Sequence, residues 1–527
     1  MNPNLDRRHL LHALSRRAAG LALFGLFGSG CASDAEPLRT AGRYPFSLGV
    51  ASGMPRPDGV VLWTRLAPQP QQPDGGLPAQ ALSLRWEVAE DEAFARVLRR
   101  GEATARPEHA HTVHAAVDGL PAGRRVFYRF IAGDAVSPVG RTRTAPAPDE
   151  DNARLRLALM SCQHYEQGAY VAHREVAAAD IELVLFVGDY IYESSNPRYR
   201  IRPHEGPAPQ TLDQYRARYA TYKADPDLQA CHAAHPWVVT WDDHEVENDY
   251  AGGAARGSPS GLDADAFLRR RIAAYRAYFE HLPVSPRMAP VGAAMRLYEH
   301  YGWGRLADLW TLDNRQYRDL QACPDARGAG GHGVVDCAAL ADPSRTLLGA
   351  DQERWIAAEL AASRRRWKLI AQATQISSCG IATRAGRRVS TDAWDGYPAA
   401  RERLMDAIAG PRVENALCLG GDVHRNVAAS LRVRPDDPRS ALIASEFVCT
   451  SVTSHGGSPD AVKNMLASNP DLLHARTGES GYAAVDITRD GARCDFRTAL
   501  FPVHADARLT TQASVFVEAG RAGVRPV

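Results

Sequence analysis

The sequence lacks an excess of charge of either sign. Its 62 lysine and arginine residues are matched by 61 aspartate and glutamate residues, and the formal net charge is +1. Basic residues form only short runs such as 364–366, Arg-Arg-Arg, which we interpret as a solvated helix face. Proteins that bind nucleic acid carry a concentrated basic surface, so we expect no nucleic acid as a stable partner.

Metal-binding cysteine pairs and long apolar runs are also missing. The nine cysteines include no CxxC spacing, which argues against a structural zinc site. After the N-terminal region, no apolar run reaches about 18 residues, the length that a membrane-spanning helix needs. No internal repeat is found. With 45% hydrophobic residues over 527 positions, the sequence predicts a soluble globular protein of more than one domain.

Residues 1–31 have the pattern of an export signal. Arg7 and Arg8 form a twin-arginine pair, an apolar stretch covers 18–27, and small residues lead to Cys31. We predict export by the twin-arginine route to the periplasm or the medium. The sequence before Cys31 also resembles a lipoprotein cleavage site, so lipid anchoring through Cys31 is an alternative to simple cleavage. A polar linker is predicted over 32–43.

Residues 44–147 are predicted to form an all-β domain. Short segments with alternating apolar residues, among them 82–88 and 125–130, are separated by turn-rich connectors. About a hundred residues with this pattern predict an immunoglobulin-like β-sandwich. Three nearby histidines belong to it, and a half-exposed strand explains them better than a metal site does: His109, His111 and His114.

Strands and helices alternate from 152 to 505, which predicts an α/β catalytic domain followed by a C-terminal tail over 506–527. Its clearest strand is 181–187, an apolar run that ends abruptly at Gly188 and Asp189. A run this continuous suits a strand buried on both faces of a sheet. Asp189 then lies at the carboxyl edge, where α/β sheets place ligands. Taken alone, a turn cap is the simpler explanation of this aspartate.

Four predicted strands, however, end with side chains that can bind metal. They are Cys162; Asp189 and Tyr192; Asp243 and His244; and Asp422 and His424. Parallel strands align their carboxyl ends, so we expect these side chains to converge. Thiolate and phenolate suit a transition metal, above all ferric iron, whereas carboxylates suit a harder ion such as calcium or manganese. The pattern predicts a mixed-metal cluster that Asp189 bridges, and paired metals can support in-line phosphoryl displacement.

These motifs together resemble the PhoD-type alkaline phosphatase family, which belongs to the metallophosphoesterases and is related to the purple acid phosphatases. The resemblance covers about 155–500 and rests on SCQ (161–163), GDYIYE (188–193), TWDDHEVENDYAG (240–252), LDNRQYRD (312–319) and GGDVHRN (420–426). FSLGVASG and GVVLWTRLAP, at 46–53 and 59–68, resemble that family's N-terminal domain. The implied fold is a metallophosphoesterase-type sandwich of β-sheets flanked by helices.

The resemblance also implies the metals and their ligands. Ferric iron would be held by Cys162, Asp189, Tyr192 and His424. Calcium, or another divalent ion, would be held by Asp243 and Asp422. Relatives usually have Asn and His at these two positions, and an acidic residue at both suits a harder ion.

Further residues are implied to contact the substrate. His244 would stabilise or protonate the leaving oxygen. Arg315 would bind phosphate oxygens through its fork of donors, and a salt bridge from Arg315 to Asp313 or Asp319 is the alternative. Other candidates for the substrate pocket are Asn248, Tyr317 and Gln375.

The predicted function is that of an exported, monomeric alkaline phosphatase that hydrolyses small organic phosphate monoesters, diesters or both. A metal-activated hydroxide is expected to attack phosphorus in line, releasing inorganic phosphate. One alternative is a phospholipase D-like phosphodiesterase acting on phospholipid or teichoic acid. Another is an exported binding protein with a degenerate site, which would require the loss of a ligand.

Cys323 and Cys337, which flank a Gly-rich loop, are the expected disulfide pair.

Overall fold

The computed structural model describes residues 36–37, 43–204, 206–255, 264–325, 330–435 and 437–527. The predicted export signal, with Arg7, Arg8 and Cys31, lies outside these ranges, as does most of the linker. None of the helices in these ranges combines the length and the apolar character that a membrane crossing requires. Residues 35–527 form one compact unit.

Strands make up most of the regular structure. In chain order they are β1 (Glu36–Pro37), β2 (Val50–Arg56), β3 (Gly59–Arg65), β4 (Leu82–Ala89), β5 (Val97–Ala105), β6 (Thr112–Val117), β7 (Arg125–Ala132), β8 (Ala135–Val136), β9 (Gly140–Arg143), β10 (Arg154–Met160), β11 (Leu183–Val187), β12 (Pro236–Thr240), β13 (Glu299–Trp303), β14 (Ala307–Thr311), β15 (Gly333–Val334), β16 (Trp367–Ala371), β17 (Ile381–Thr383), β18 (Gly386–Ser390), β19 (Ala416–Gly420), β20 (Asn426–Arg432), β21 (Leu442–Val448), β22 (Leu472–Arg476), β23 (Glu479–Thr488), β24 (Gly491–Leu500), β25 (Thr510–Glu518) and β26 (Arg525–Pro526).

Helices lie in the connections between strands. They are α1 (Val171–Ala178), α2 (Leu212–Lys223), α3 (Pro226–Ala234), α4 (Ala264–His281), α5 (Ala350–Ala362), α6 (Pro398–Ile408) and α7 (Pro459–Ser468). Helix α2 begins at Leu212 because Thr211 and Gln214 form a capping box at its start. Single turns of 3-10 helix also occur in the loops.

Two sheets form the catalytic part. In the first, the long sheet, the strand order is β26-β25-β24-β23-β10-β11-β12-β2-β3-β6. In the second, the mixed sheet, it is β13-β14-β16-β19-β21-β20-β22. Strands β10, β11 and β12 run parallel, as do β14, β16, β19 and β21. The apolar side chains of both sheets contribute to one hydrophobic core, so the sheets pack face to face.

The N-terminal region is joined to the long sheet. Strand β4 pairs with β1, β5 and β7, and β7 pairs with β8 and β9. This N-terminal sheet packs on β2, β3 and β6, as the predicted sandwich requires. Those three strands, however, belong to the long sheet, because β2 pairs in parallel with β12. The boundary predicted between residues 147 and 152 therefore separates two stretches of sequence that share one sheet.

Strand β3 shows how the sequence allows this sharing. Val60 and Leu62 enter the core of the N-terminal sandwich, whereas Val61 and Trp63 face the catalytic part. All seven residues of β3 are buried. A strand that is apolar on both faces can serve two layers at once.

The C-terminal segment differs from the predicted tail. Residues 510–518 form β25, which pairs with β24 along most of its length. Val515 and Val517 are buried on one face of that strand. This alternation of buried and exposed side chains is the period-two pattern of a half-buried strand. The predicted disulfide is confirmed, with a Cα–Cα distance of 6.1 Å between Cys323 and Cys337.

Candidate metal centre

The carboxyl ends of parallel strands from both sheets meet in one place. In chain order these ends carry Cys162, Asp189, Asp243 and Asp422, after β10, β11, β12 and β19. A side chain at Gly421 would collide with that of Ser161, so only glycine lets the mixed sheet approach the long sheet here. This close approach is what brings the four strand ends together.

Several residues at these strand ends have left-handed backbone conformations. The angle φ is 60° at Cys162, 59° at Asp189, 65° at Asp422 and 49° at His424. Each such conformation costs a non-glycine residue roughly 1–3 kcal/mol and persists only where the surroundings fix it. Strained residues that cluster in this way are typical of a functional site.

The first group of potential ligands contains Cys162, Asp189 and His424, with one donor atom from each within 4.8 Å of the others. The Tyr192 hydroxyl donates to Oδ2 of Asp189 over 2.9 Å and lies 3.1 Å from Nε2 of His424. Nδ1 of His424 donates to the carbonyl of His455 over 2.7 Å. The lone pair of His424 is therefore on Nε2, the nitrogen that faces this group.

The charges of the group favour a bound cation. Burial, together with the charges of Asp189 and Asp422, raises the pKa of the Cys162 thiol well above its usual value. Burial and neighbouring carboxylates likewise raise the pKa of Asp189, and that of Asp422 to about 6. Among the described residues, Oδ2 of Asp242 is buried without a hydrogen-bond partner. Buried carboxylates at this density need more positive charge than the chain supplies, so these residues fit a metal.

A second group contains Asp189, Asp243 and His244. Nδ1 of His244 donates to Oε2 of Glu193 over 2.6 Å, and its ring lies against Tyr192 with centroids 4.0 Å apart. Burial lowers the pKa of His244, but Glu193, Asp189 and Asp243 outweigh that effect and hold it well above its usual value. The imidazolium form is thus stabilised beside two potential ligands.

A third group was not predicted from the sequence. It contains Asp243, Asp249 and Asp392. Asp249 stands in the segment TWDDHEVENDYAG, so that motif could have revealed it. Asp392 follows β18 in a loop with no recognisable motif. The three groups form a chain, because the first two share Asp189 and the last two share Asp243.

The guanidinium of Arg315 lies among the carboxylates of the second and third groups and Asp242. Its Nε is 2.5 Å from Asp242, its Nη1 is 2.9 Å from Asp392, and its Nη2 is 3.5 Å from Asp243. The predicted salt-bridge alternatives, Asp313 and Asp319, are not its ion-pair partners. Arg315 is fully buried. The guanidinium nitrogens that were predicted to bind phosphate oxygens contact carboxylates in this structure.

The Asp422 side chain is held in place by a residue that follows the neighbouring strand of the mixed sheet. Thr374, after β16, donates to Oδ2 of Asp422 over 2.6 Å. The next residue, Gln375, is buried, and its Oε1 accepts a hydrogen bond of 2.8 Å from Nη2 of Arg425. The structure therefore places Gln375 behind Arg425, as a residue that orients this arginine.

The other two predicted pocket residues have different surroundings. The backbone N–H of Asn248 donates to Oε1 of Glu193 over 3.0 Å, which ties the loop after β12 to the partner of His244. Tyr317 is 37% exposed, and its ring packs on Tyr298 with centroids 6.1 Å apart.

Two face-to-face sheets bring carboxylate, imidazole and thiol groups together at the carboxyl ends of parallel strands, and these groups could hold metal ions. Comparison with known proteins identifies the class. A family model described as PhoD-like phosphatase matches residues 157–496, and the model of its N-terminal domain matches 30–146. The chain belongs to the PhoD-like phosphatase family, and the predictions of this family, its fold and a phosphoester hydrolase are confirmed.

Individual relatives agree with this assignment. Alkaline phosphatase D of Bacillus subtilis (strain 168) is 40% identical over 535 residues, which cover 100% of this chain and 90% of that protein. A solved structure described as the structure of PhoD superposes with a TM-score of 0.87, at 40% identity over 92% of both chains.

Proposed function

We propose that this protein is an exported, metal-dependent alkaline phosphatase that hydrolyses small phosphate monoesters, diesters or both. The observation that carries the proposal is the position of Asp189. It is shared between a group with thiol and imidazole donors and a group with a second carboxylate. A carboxylate placed in this way can bridge two metals of different character.

The donor sets support ferric iron and calcium as the two metals. Cys162, Asp189, Tyr192 and His424 would hold the iron, and Asp189, Asp243 and Asp422 would hold the calcium or another divalent ion. When bound, such a pair supplies Lewis acidity and lowers the pKa of a water molecule. Asp249 and Asp392 extend the carboxylate side of the site beyond the predicted ligands.

The chain itself supplies a proton donor for the leaving oxygen. Glu193 accepts the Nδ1 proton of His244, so Nε2 is left to donate to a substrate. The stacked Tyr192 ring and the hydrogen bond to Glu193 restrict the rotation of the imidazole. A protonated, oriented His244 next to Asp189 and Asp243 suits the role of a general acid.

The site can be tested with Asp189→Asn and a matched control, Asp180→Asn. Asp180 is exposed, precedes β11 and pairs with Arg125 and Arg156. We expect Asp189→Asn to lower hydrolysis of a chromogenic phosphate ester by more than about a hundredfold and to reduce the metal content by elemental analysis. Asp180→Asn should retain both. Full hydrolysis by Asp189→Asn would overturn the assignment, and rates on a monoester, a simple diester and phosphatidylcholine would order the substrates.

We infer export by the twin-arginine route, to the periplasm or the medium, from residues 1–31. The two fates of Cys31, lipid attachment or removal with the signal, are distinguished by Cys31→Ser. If Cys31 carries a lipid, this variant should move from the membrane fraction to the soluble fraction; if the signal is simply cleaved, the distribution should not change. Substitution of Arg7 and Arg8 by lysine should retain the protein in the cytoplasm. We also propose a monomer, which sedimentation would test.

A further inference from the structure

A cavity of about 410 Å³ lies beside the candidate metal centre. Its walls come from β15, the β17–β18 hairpin, α7 and the residues after β19. The apolar part of its lining is formed by Ile381, Val389, Val462 and Met465. Its basic part is formed by Arg388 and Arg425.

Three separate connections place this cavity next to the centre. Arg425 directly follows His424 in the chain. Ser390, another lining residue, accepts a hydrogen bond of 3.4 Å at its Oγ from the backbone N–H of Asp392. Gly457 also lines the cavity, and its neighbour Gly456 packs against the carbonyl of His424. These connections join the lining of the cavity to His424, which belongs to the first group of potential ligands, and to Asp392, which belongs to the third.

The two arginines have unused hydrogen-bonding capacity. Within the described ranges no carboxylate lines the cavity, and neither Arg388 nor Arg425 forms an ion pair. Nη2 of Arg425 donates to Gln375, but its Nε is buried without a partner among the described residues. Arg388 is exposed at the rim. Guanidinium groups in this state pair well with a carboxylate or a phosphate.

We propose that this cavity binds the alcohol part of the substrate and selects alcohols that carry a second anionic group next to a short apolar segment. The apolar segment would pack on Val462 and Met465, and the anion would pair with Arg388 and Arg425. The inference rests on the proposed hydrolysis of phosphate esters at the centre. Under this proposal the cavity determines which esters are preferred, and the roles of the groups that take part in the reaction stay as described above.

Three aryl phosphates with one scaffold test the proposal. They carry methyl, carboxymethyl or phosphonomethyl at the para position, so that the methylene insulates the leaving oxygen from the charge. The quantity measured is kcat/KM from phosphate release by the metal-loaded protein. We expect the anionic esters to exceed the methyl ester by about tenfold, and the two anionic arms to show whether carboxylate or phosphonate is preferred.

The variants are Arg388→Gln and a matched control, Arg384→Gln. Arg384 is exposed in the turn of the same hairpin and does not line the cavity. We expect Arg388→Gln to reduce the ratio of anionic to neutral kcat/KM to near one, while Arg384→Gln keeps the ratio of the unaltered protein. The intrinsic difference between the leaving groups is the same for every variant, so it cancels when the ratios of two variants are compared. An unchanged ratio in Arg388→Gln overturns the inference alone, whereas no hydrolysis of any ester by the unaltered protein overturns the proposed function as well.

Discussion

The Glu193 carboxylate accepts a hydrogen bond from Nδ1 of His244 over 2.6 Å, between the loop after β11 and the loop after β12. The backbone N–H of Asn248 donates to the other oxygen of Glu193. One carboxylate thus fixes both the imidazole and the loop that carries it. Because Glu193 acts through His244, it is a positioning residue.

This relationship predicts that Glu193→Gln and His244→Ala act on the same step. We expect each to lower kcat by about 10- to 100-fold with little change in KM, because protonation of the leaving oxygen is weakened. The double variant should be no slower than His244→Ala. The control is Glu182→Gln, which removes a buried carboxylate that contacts Arg156 near the start of β10, at the opposite end of that strand from Cys162. Additive losses in the double variant would show that Glu193 acts independently of His244.

Tyr192 and Tyr190 offer a matched pair for the metal centre. The Tyr192 hydroxyl contacts Asp189 and His424, whereas the Tyr190 hydroxyl lies 2.7 Å from Nε2 of His232, away from the centre. Replacement by phenylalanine removes only the hydroxyl in each case. We expect Tyr192→Phe to lose iron on dialysis against a chelator, and any phenolate-to-iron absorption with it. Tyr190→Phe should keep its iron, and equal retention by both variants would exclude Tyr192 as a ligand.

A substitution at Arg315 can distinguish two roles of its guanidinium, namely holding the neighbouring carboxylates in place and binding phosphate. Since it contacts Asp242, Asp243 and Asp392, lysine at this position cannot hold the three carboxylates in one arrangement. We expect Arg315→Lys to lower metal retention and to change the KM of the metal-loaded enzyme by less than about twofold. If Arg315 binds phosphate instead, KM should rise at full metal content. Arg401→Lys, in the buried pair with Asp395, is the control that alters stability without altering metal content.

The structural features that the sequence predicts best are those that local residue patterns determine. The buried strand ending at Asp189 follows from its apolar run and from the turn signal at Gly188, which depend only on neighbouring residues. Convergence of the four strand ends also follows, because parallel strands align their ends. These features predict that Cys162, Asp189 and His424 lie close together, as they do, whereas their assignment as ligands comes from the resemblance to the family.

Pairings between distant segments could not be predicted in this way. The contact of β2 with β12 joins residues about 180 positions apart, and no local signal marks it. Asp392 reaches the centre only because the loop after β18 folds back toward Arg315. The partners of Arg315 cannot be predicted for the same reason, since the carboxylates nearest to it in sequence are not the nearest in space. Strand β25 is predicted as a tail because its apolar alternation is short: only Val515 and Val517 are buried, and its pairing with β24 is what fixes it as a strand.

A buried histidine outside the centre predicts how stability depends on pH. Nε2 of His235 donates to the carbonyl of Val176 over 2.8 Å. Burial lowers the pKa of His235 from 6.5 to about 4, with the charges of Arg141 and Arg125 acting in the same direction. The unfolded chain therefore binds the proton more readily than the folded chain. Stability is lost as the pH falls from about 6.5 towards 4.

His235→Gln tests this linkage, because glutamine can donate to Val176 without titrating. We expect the free energy of unfolding of the unaltered protein to fall between pH 7 and pH 4.5 by about 2 kcal/mol more than that of His235→Gln. Urea titrations at the two pH values measure the difference. His109→Gln, at an exposed position, should show the same pH dependence as the unaltered protein. Equal pH dependence in His235→Gln and the unaltered protein would mean that His235 does not contribute to acid sensitivity.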